Sequence, residues 1–509
     1  MKRLYNKRRY TYTVGIMKAR LILLIVNILA LGVYAQPDVH FTGSLYDALK
    51  TRLNENSLPL VNITVDVANL HRTSFVPGEI EITDWHRRTD PDKLTVKYNC
   101  MYRIRGGTST ALDKKSFAVK LVDGNGKDLN VSIFGIREEN SWILDAMAID
   151  RTRMRNRVCF DVWNELSRTP YDTDFNGRNG TEGVFVEVFI NKEYNGLYCL
   201  SDKVDRKLLD LKKAQVDEEG NVTTRGLLYK GNSWGDYTDI WLLGYKEADT
   251  SSKVWNAWEL QYPDDYPSED TWQPLMDLIN YCSEPMTDEE FMKTYQDWFY
   301  PDNLADYALF TMALNVGDNA YKNTFLSVKN IEKGHCFLLT PWDMDMSLGG
   351  NWNGGYNEAL ANIKRYDGVA PYNRLIGHYS KEFIDMMGCK WEEYAETLFS
   401  CEEIERRLNH YAEMFTTSGA WEREYDKWNG NPVPLSDDIA DELDYVKDWY
   451  ERNHERLGEQ LGTITTTGSF NDLPKRQGSD KVYTLDGRRV SVLRKGIYID
   501  GNGRKVVIR

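Results

Sequence analysis

The stretch 317-GDNAYKNTFLSVKNIEKGHCFLLTPWDMDMSLGG-350 contains the pattern around which the rest of the chain is organised. Its β-branched and aromatic runs, 324–328 and 336–340, flank a polar turn and predict a β-hairpin. A hairpin returns the chain to its starting point. Asp343, just after the second strand, should therefore lie close to Asn323, just before the first. Oxygen-bearing side chains brought together in this way suit a hard cation such as Mg²⁺.

An amphipathic helix is predicted before the hairpin, because apolar residues recur at steps of three and four from Leu304 to Leu314. Gly317 ends this helix, and a loop follows. Helix, loop and hairpin together should bring four polar side chains to one edge. These are Asp318, Asn323, Asp343 and Asp345.

The spacing of Asp318 and Asn323 matches the D-x-x-x-x-N pattern of protein-kinase catalytic loops. In that pattern the Asp faces the substrate hydroxyl, the Asn holds one metal ion, and a second Asp one hairpin later holds another. Asp343 stands in the second place here. The chain departs from the pattern in having no His-Arg before Asp318 and no Phe-Gly after Asp343. A turn capped by an Asp–Asn pair would show the same spacing, so both interpretations stay open.

Composition limits the classes of function. A chain of 509 residues predicts about two to four domains. Its formal net charge of −14 argues against a nucleic-acid partner, because binding to phosphate backbones needs a basic surface. The histidines show no H-E-x-x-H pattern, which argues against a zinc hydrolase of that type.

The N-terminus has the features of a targeting segment. Lys and Arg are frequent from Met1 to Arg20, the apolar run 21–33 follows, and Val33-Tyr34-Ala35 fits a signal-peptidase site. The apolar run is too short for a comfortable permanent anchor. We therefore predict a signal peptide over 1–35 and an exported protein, periplasmic, secreted or on the cell surface, without a transmembrane anchor after cleavage.

A strand, a loop rich in glycine and hydroxyl groups, and a second strand occupy 102–121. Glycines let the backbone approach a phosphate and leave amide N–H groups free to bind its oxygens. The run Phe117–Lys120 resembles the V-A-I-K strand whose Lys holds nucleotide phosphates in kinases. Lys115 competes with Lys120 for this role, and an ordinary hairpin with an exposed Lys120 is the alternative. The predicted phosphate-site residues are Arg105, Gly106, Gly107, Thr108, Ser109, Lys115 and Lys120.

A helix over 150–167 and a second hairpin over 184–200 complete the first half of the chain. The hairpin leads to Asp202, where a hinge between two lobes would fall.

Five motifs in this order resemble the spore-coat-protein-H (CotH) kinase family: RIRGGTST…KKSFAVKL, SWILDAMAIDRTRMRNRV, VFVEVFINKEYNGLYCLSDKVDR, D-x4-N and PWDMDMSLGG. The resemblance covers about Leu58 to Leu461. Members of the family are exported atypical protein kinases of bacteria and surface proteins of fungi. The resemblance implies binding of ATP with Mg²⁺ or Mn²⁺ and phosphorylation of Ser or Thr on secreted or surface proteins, with the chain itself among the candidate acceptors.

The resemblance also implies roles for single residues. Asp318 matches the catalytic-loop Asp, and Asp343 matches the metal-binding Asp of the family's P-W-D-x-D. Asn323 and Asp345 would complete the metal ligands. Asp202 stands where the family commonly has Glu and is included among the expected nucleotide-site residues.

The expected fold is α+β, an atypical protein-kinase-like two-lobed fold with a β-rich N-lobe, a helical C-lobe and a small C-terminal β tail, and we expect a monomer. The tail resembles secretion or sorting signals of exported proteins, with a plain β appendage as the alternative. The predicted boundaries are 36–461 for the kinase-like domain, 58–205 for the N-lobe, 208–300 for an insert, 301–461 for the C-lobe, 462–480 for a linker and 481–509 for the tail.

Two other functions stay open. A metal-dependent glycosyltransferase would use Asp343-Met344-Asp345 as its D-x-D motif, and a nucleotide-binding α/β half should then precede that motif. A non-catalytic surface adhesin or binding protein would have kept a kinase-like fold without its chemistry, and the aromatic segment 208–300 would serve its binding.

Overall fold

The computed structural model describes residues 44–171, 177–232, 242–319, 322–366, 368–378 and 380–467, together with the backbone of 482–483, 496–500 and 505–508. The predicted signal peptide, 1–35, lies outside the described residues, and so does most of the predicted linker. No helix in the described part is both long enough and apolar enough to cross a bilayer. A first compact unit ends at Thr51 and contains helix α1, Leu45–Thr51. All other elements belong to a second unit, 52–509.

The second unit is a mixture of strands and helices, so the α+β class is confirmed. Its strands are β1 Leu60–Val65, β2 Val76–Thr83, β3 Thr95–Arg105, β4 Ser116–Val122, β5 Ser141–Asp145, β6 Gly183–Ile190, β7 Glu193–Ser201, β8 Gln215–Val216, β9 Val222–Thr223, β10 Leu227–Gly231, β11 Val254–Trp255, β12 Trp258–Tyr262, β13 Thr324–Val328, β14 Leu338–Pro341, β15 Val482–Tyr483, β16 Gly496–Asp500 and β17 Lys505–Ile508. Its α-helices are α2 Arg155–Leu166, α3 Glu269–Ser283, α4 Asp288–Thr294, α5 Pro301–Ala313, α6 Lys381–Tyr394, α7 Cys401–Thr417, α8 Ala420–Trp428 and α9 Ile439–Thr467.

Strands β1 to β7 close into a seven-stranded barrel in the order β1-β2-β3-β4-β5-β7-β6. Strands β1 and β6 pair in parallel, and all the other neighbours in the barrel are antiparallel. Side chains alternate along β4, so Phe117, Val119 and Leu121 are buried in the barrel while Lys120 lies on the other face. The sequence predicts β-rich structure here, but not closure, because closure depends on a pairing between strands far apart in the chain.

A second, five-stranded sheet carries the hairpin, in the order β11-β12-β10-β13-β14. Strand β13 lies between β10 and β14 and pairs antiparallel with both. Strands β10, β11 and β12 come from 208–300, the segment predicted to be an insert. This segment therefore supplies neighbours to the hairpin in addition to the helices α3 and α4.

Helix α5 is buried on all sides from Asn303 to Ala313. An amphipathic helix with one buried stripe is expected from its spacing, so this expectation is wrong for its polar face. The polar residues on that face are paired inside the protein. Asn303 donates to the carbonyl of Leu339 at 3.1 Å and accepts from the Leu339 N–H at 2.8 Å. Asp306 forms an ion pair with Lys390 at 3.0 Å, and burial raises the pKa of its carboxyl to about 6.

Three helix boundaries differ from the prediction. The helix predicted over 150–167 begins only at Arg155, and the other two differences lie in the second half of the chain. The pattern over 390–407 predicts one helix, but α6 ends at Tyr394 and α7 begins at Cys401, where the Ser400 side chain caps it by accepting from the Glu403 N–H. Helix α9 continues to Thr467, into the predicted linker 462–480. Its Gln460 donates to the carbonyl of Ala361 at 2.7 Å, and such packing outweighs the weak helix propensity of the Gly and Thr residues that follow.

A buried ionic cluster joins the barrel to α8. The Glu424 carboxylate accepts from Lys114 Nζ at 2.6 Å, from Arg153 Nε at 2.8 Å and from the Leu197 N–H at 2.7 Å. Burial lowers the pKa of Lys114 to about 7, and Glu424 is the closest compensating charge. Gly196 has a φ of +123°, and a Cβ there would lie 2.6 Å from the Glu424 carboxylate, so only glycine fits this position.

We expect Glu424→Gln to lower the free energy of unfolding by about 3–5 kcal/mol, because it leaves two buried cations without their counter-charge. Chemical denaturation followed by circular dichroism measures the change. Asp426→Asn, an exposed change of the same kind on α8, is the matched control and should stay within about 0.5 kcal/mol of the parent. Equal stability of both variants would show that the cluster contributes no net free energy.

Candidate functional site

The amide of Asn323 connects two carboxylates. Its Nδ2 donates to Oδ2 of Asp318 and to Oδ2 of Asp343, each at 3.3 Å. Asp318 and Asn323 are buried, whereas Asp343 is exposed. The structure thus brings together the D-x-x-x-x-N pair and the Asp that follows the hairpin, and it leaves one of the three open to a ligand.

Local backbone geometry holds this arrangement. Asn323 has a φ of 56° and Asp343 a φ of 60°, in the left-handed region that Asn and Asp tolerate better than most residues. The Asn323 N–H donates to the carbonyl of Gly231 at the end of β10. Asn319 donates from one Nδ2 to the carbonyls of Asn323 and Trp342 at 2.9 and 3.0 Å, so it ties the loop to the end of β14.

Asp345 is surrounded by other carboxylates. It is partly buried, and no described donor lies within hydrogen-bond distance of its carboxylate. Burial, together with the charges of four carboxylates, raises its pKa well above the ordinary value. The four are Asp343, Asp145, Asp150 and Asp318.

Asp145 and Asn156 belong to the site, although neither is part of a motif that marks it in the sequence. Asn156 accepts the Met344 N–H at 3.1 Å and donates to Asp145 at 3.1 Å. Asp145 ends β5 and also accepts from the Ser116 hydroxyl at 3.3 Å. The barrel and α2 therefore support the P-W-D-M-D segment directly. The available signal was an Asp at the end of the apolar strand SWILD, the position at which functional carboxylates often follow strands.

Cationic side chains surround the carboxylates. Lys322 pairs with Asp318 at 2.8 Å. The Arg105 guanidinium lies 5.4 Å from the ring of Trp342, and burial lowers its pKa while Asp145 and Asp343 oppose that change. Of the predicted phosphate-site residues, Arg105 is the one that the described contacts bring to the acidic cluster. Lys230 on β10 is a further cation here, and no motif marks it in the sequence.

The structure places the other predicted phosphate-site cations elsewhere. Lys120 forms an ion pair with Asp128 at 2.8 Å on the outer face of the barrel, which is the ordinary hairpin arrangement. Lys115 donates to the Thr110 carbonyl at 2.8 Å. Neither contact ties its lysine to Asp343.

Asp202 is fully buried and is held by two arginines, with Arg137 at 2.7 Å and Arg178 at 3.1 Å, and by the Glu182 N–H at 2.9 Å. Burial raises the pKa of its carboxyl. These contacts assign it to the ionic network behind the second barrel hairpin and not to the acidic cluster.

The glycine and hydroxyl loop follows Arg105 directly. Gly106 has a φ of +122°, and Gly106, Gly107 and Thr108 are exposed. A short 3₁₀-helix, Thr108–Ala111, contains Ser109 and uses the Gly107 carbonyl as acceptor for the Thr110 N–H. The loop is thus open to solvent beside a residue of the site.

The side chains of the acidic cluster are of the types that bind a divalent metal ion. Among the described residues no three His, Cys, Asp or Glu side chains are grouped as a complete protein metal site. Mg²⁺, however, usually takes one or two carboxylates and completes its shell with water and substrate phosphates. Asp343, Asn323 and Asp345 offer oxygen donors, and the excess of carboxylate charge around Asp345 is of the sign that a cation would neutralise.

The comparison with protein families shows which family the chain belongs to. A family model described as CotH kinase protein matches residues 102–457. The chain belongs to the CotH kinase family. The matched region covers more than two thirds of the chain and contains every site residue from Arg105 to Asp345. A search of curated proteins gave no match.

We expect Asp345→Asn to raise the free energy of unfolding by about 1 kcal/mol in metal-free protein at neutral pH, since it removes a carboxylate whose ionised form is destabilised in the folded state. A carboxyl with a raised folded-state pKa costs stability as the pH rises above its ordinary value of 3.8. The gain should therefore vanish near pH 3.5.

Thermal and denaturant unfolding with a chelator, at both pH values, measures this effect. Asp426→Asn is the control, and added Mg²⁺ should reduce the advantage of the variant by stabilising the parent. A less stable Asp345→Asn protein at neutral pH would contradict the electrostatic account.

Proposed function

We propose that this CotH-family chain is an exported protein kinase that transfers the γ-phosphate of ATP to Ser or Thr of secreted or surface proteins, with itself as one candidate acceptor. The observation that carries the proposal is the Asn323 amide between Asp318 and Asp343. That arrangement joins the acceptor-orienting Asp, the metal-binding Asn and the second metal-binding Asp of the kinase pattern.

In the proposed two-lobed arrangement the barrel serves as the N-lobe and helices α5 to α9 serve as the C-lobe. Asn156 on α2, which binds both Asp145 of β5 and the backbone of Met344, supports this division because it connects the two sets of elements at the acidic cluster.

Asp318 would orient the acceptor hydroxyl and take its proton. It is buried, and its carboxylate pairs with Lys322 at 2.8 Å, which fixes its position beside Asn323. Lys322 would also face the developing negative charge of the phosphoryl group, as a lysine beside a catalytic Asp can do.

Asn323 and Asp343 would hold Mg²⁺ or Mn²⁺, with Asp345 behind them. When bound, the metal supplies charge neutralisation for the nucleotide phosphates. Asp343 is exposed and so can reach a nucleotide. The backbone next to it is held by the Met344 N–H, which donates to Asn156.

The glycosyltransferase alternative is less well supported. It needs a nucleotide-binding α/β half before the D-x-D motif, but the described strands between 60 and 201 form a closed barrel that is mainly antiparallel, and helix α2 belongs to a separate core cluster. A non-catalytic binding protein would have the same fold, and only an activity measurement separates it from a kinase.

We expect the purified chain to transfer labelled γ-phosphate from ATP to Ser or Thr of a casein-like acceptor or of itself when Mg²⁺ or Mn²⁺ is present. Asp343→Asn should reduce the rate at least about a hundredfold, because it removes a metal ligand. Asp318→Asn should lose transfer to a similar extent but keep ATP binding. Asp426→Asn is the matched surface control.

Phosphoamino-acid analysis and ATP-dependent thermal shifts complete the test. An Asp343→Asn protein that no longer folds would show that this Asp is structural. Absence of transfer by the parent chain, together with no ATP-dependent thermal shift, would favour the binding-protein alternative.

A further inference from the structure

Lys230 occupies a central position in the five-stranded sheet. It lies on β10 directly opposite Phe325 of β13 on one side and Glu259 of β12 on the other. Directly opposed residues of antiparallel strands project to the same face. Its neighbour Tyr229 projects to the opposite face, where it is buried and donates to the Thr271 carbonyl at 2.6 Å.

The sheet face that carries Lys230 and Phe325 is connected to the acidic cluster through Trp342. Phe325 packs edge-on against Trp342, with ring centroids 5.8 Å apart, and Arg105 lies over the same Trp342 ring. The residue after Lys230, Gly231, accepts the backbone N–H of Asn323. Lys230 is therefore held beside the loop and the hairpin end that carry Asn323 and Asp343.

The ammonium group of Lys230 has a set of charged neighbours but no direct partner among the described residues. The charges that act on it are Asp343, Arg105, Glu259 and Lys322. Burial lowers its pKa, and Asp343 is the main charge that opposes this change. No described carboxylate lies within 4.0 Å of its Nζ, although Lys322, Lys120 and Lys114 all form ion pairs. A partly buried lysine without an ion pair is costly unless a ligand supplies the counter-charge.

We propose that Lys230 is the lysine that contacts the phosphates of the bound nucleotide, so that this contact comes from β10 and not from β4, where Lys120 lies. The inference rests on the proposed function, since it assigns a residue to the nucleotide site of the same reaction. Lys230 would approach the phosphates from the sheet, while Arg105 approaches from the end of β3.

The ordinary alternative is a structural cross-strand pair between Lys230 and Glu259. Such a pair would explain why a lysine stands on this strand, but it predicts that removing either partner has similar effects on stability and none specific to phosphate. The two hypotheses therefore differ in one respect. If Lys230 contacts phosphate, replacing it weakens only the binding of ligands that carry phosphates.

The test compares ATP with adenosine, which lacks the phosphates, by calorimetric titration of the full chain in Mg²⁺. Lys230→Met should weaken ATP binding about tenfold to a hundredfold and leave adenosine binding within about twofold. Lys230→Arg should restore part of the ATP affinity because it keeps the charge. Lys333→Met is the control: Lys333 is an exposed lysine in the polar turn at the other end of the same hairpin.

Each outcome bears on a different claim. If the parent chain binds adenosine and ATP equally weakly, the proposed function itself is overturned. If the parent binds ATP well and Lys230→Met binds it equally well, only the assignment of Lys230 is overturned, and the same holds if Lys120→Met is the variant that loses affinity. Equal losses for ATP and adenosine, matched by Glu259→Gln, would support the structural pair and overturn the assignment.

Discussion

The register of β13 between β10 and β14 is the constraint on which the site depends. Thr324 pairs with Pro341, so Asn323 and Trp342 lie at the same end of the hairpin and Asp343 follows at once. On the other side Phe325 pairs with Lys230. A shift of one residue in either pairing would reverse the faces of the side chains and separate Asn323 from both neighbours. Burial of every residue of β13 makes such a shift expensive.

The carboxylates at this end of the sheet repel one another, and this explains why charged partners lie around them. Four carboxylates, those of Asp145, Asp150, Asp318 and Asp343, act on Asp345. Some are compensated inside the protein: Asp150 by Arg155, and Asp318 by Lys322. Asp343 and Asp345 are compensated less, so this region favours a cation. An acidic cluster next to the partly buried Arg105 and Lys230 is the charge arrangement that a metal-bound polyphosphate would complement.

The sequence was informative wherever the relevant contact is local. The hairpin, the D-x-x-x-x-N spacing and the helix before it follow from residues within one segment, and the structure brings Asp318, Asn323 and Asp343 together. The family was also recognisable from ordered motifs. Lys230 and Asp145 were not found, because nothing in their own segments marks them. They join the site only through strand pairings and a contact with α2, and these depend on the whole fold.

Lys120 illustrates the limit of a local resemblance. The four residues Phe117–Lys120 resemble a kinase strand and suggest a phosphate contact. Such a short match does not indicate where the strand lies in the barrel. Alternation along β4 correctly put Lys120 on the face opposite Phe117 and Val119. What the sequence could not supply was the neighbour on that face, which is Asp128. Local patterns predict orientation well and surroundings poorly.

The ionic contact between Lys114 and Glu424 has a consequence for the order of events during synthesis. The two residues are 310 positions apart in the sequence. During translation, the strands of the barrel emerge long before helix α8. Until that helix is made, Lys114 has no Glu424 to pair with, and burying its ammonium group would be costly. Contacts that span so much of the chain also slow folding, because a large loop has to be closed first. We therefore expect the region around Lys114 to reach its final packing only after helix α8 has been made.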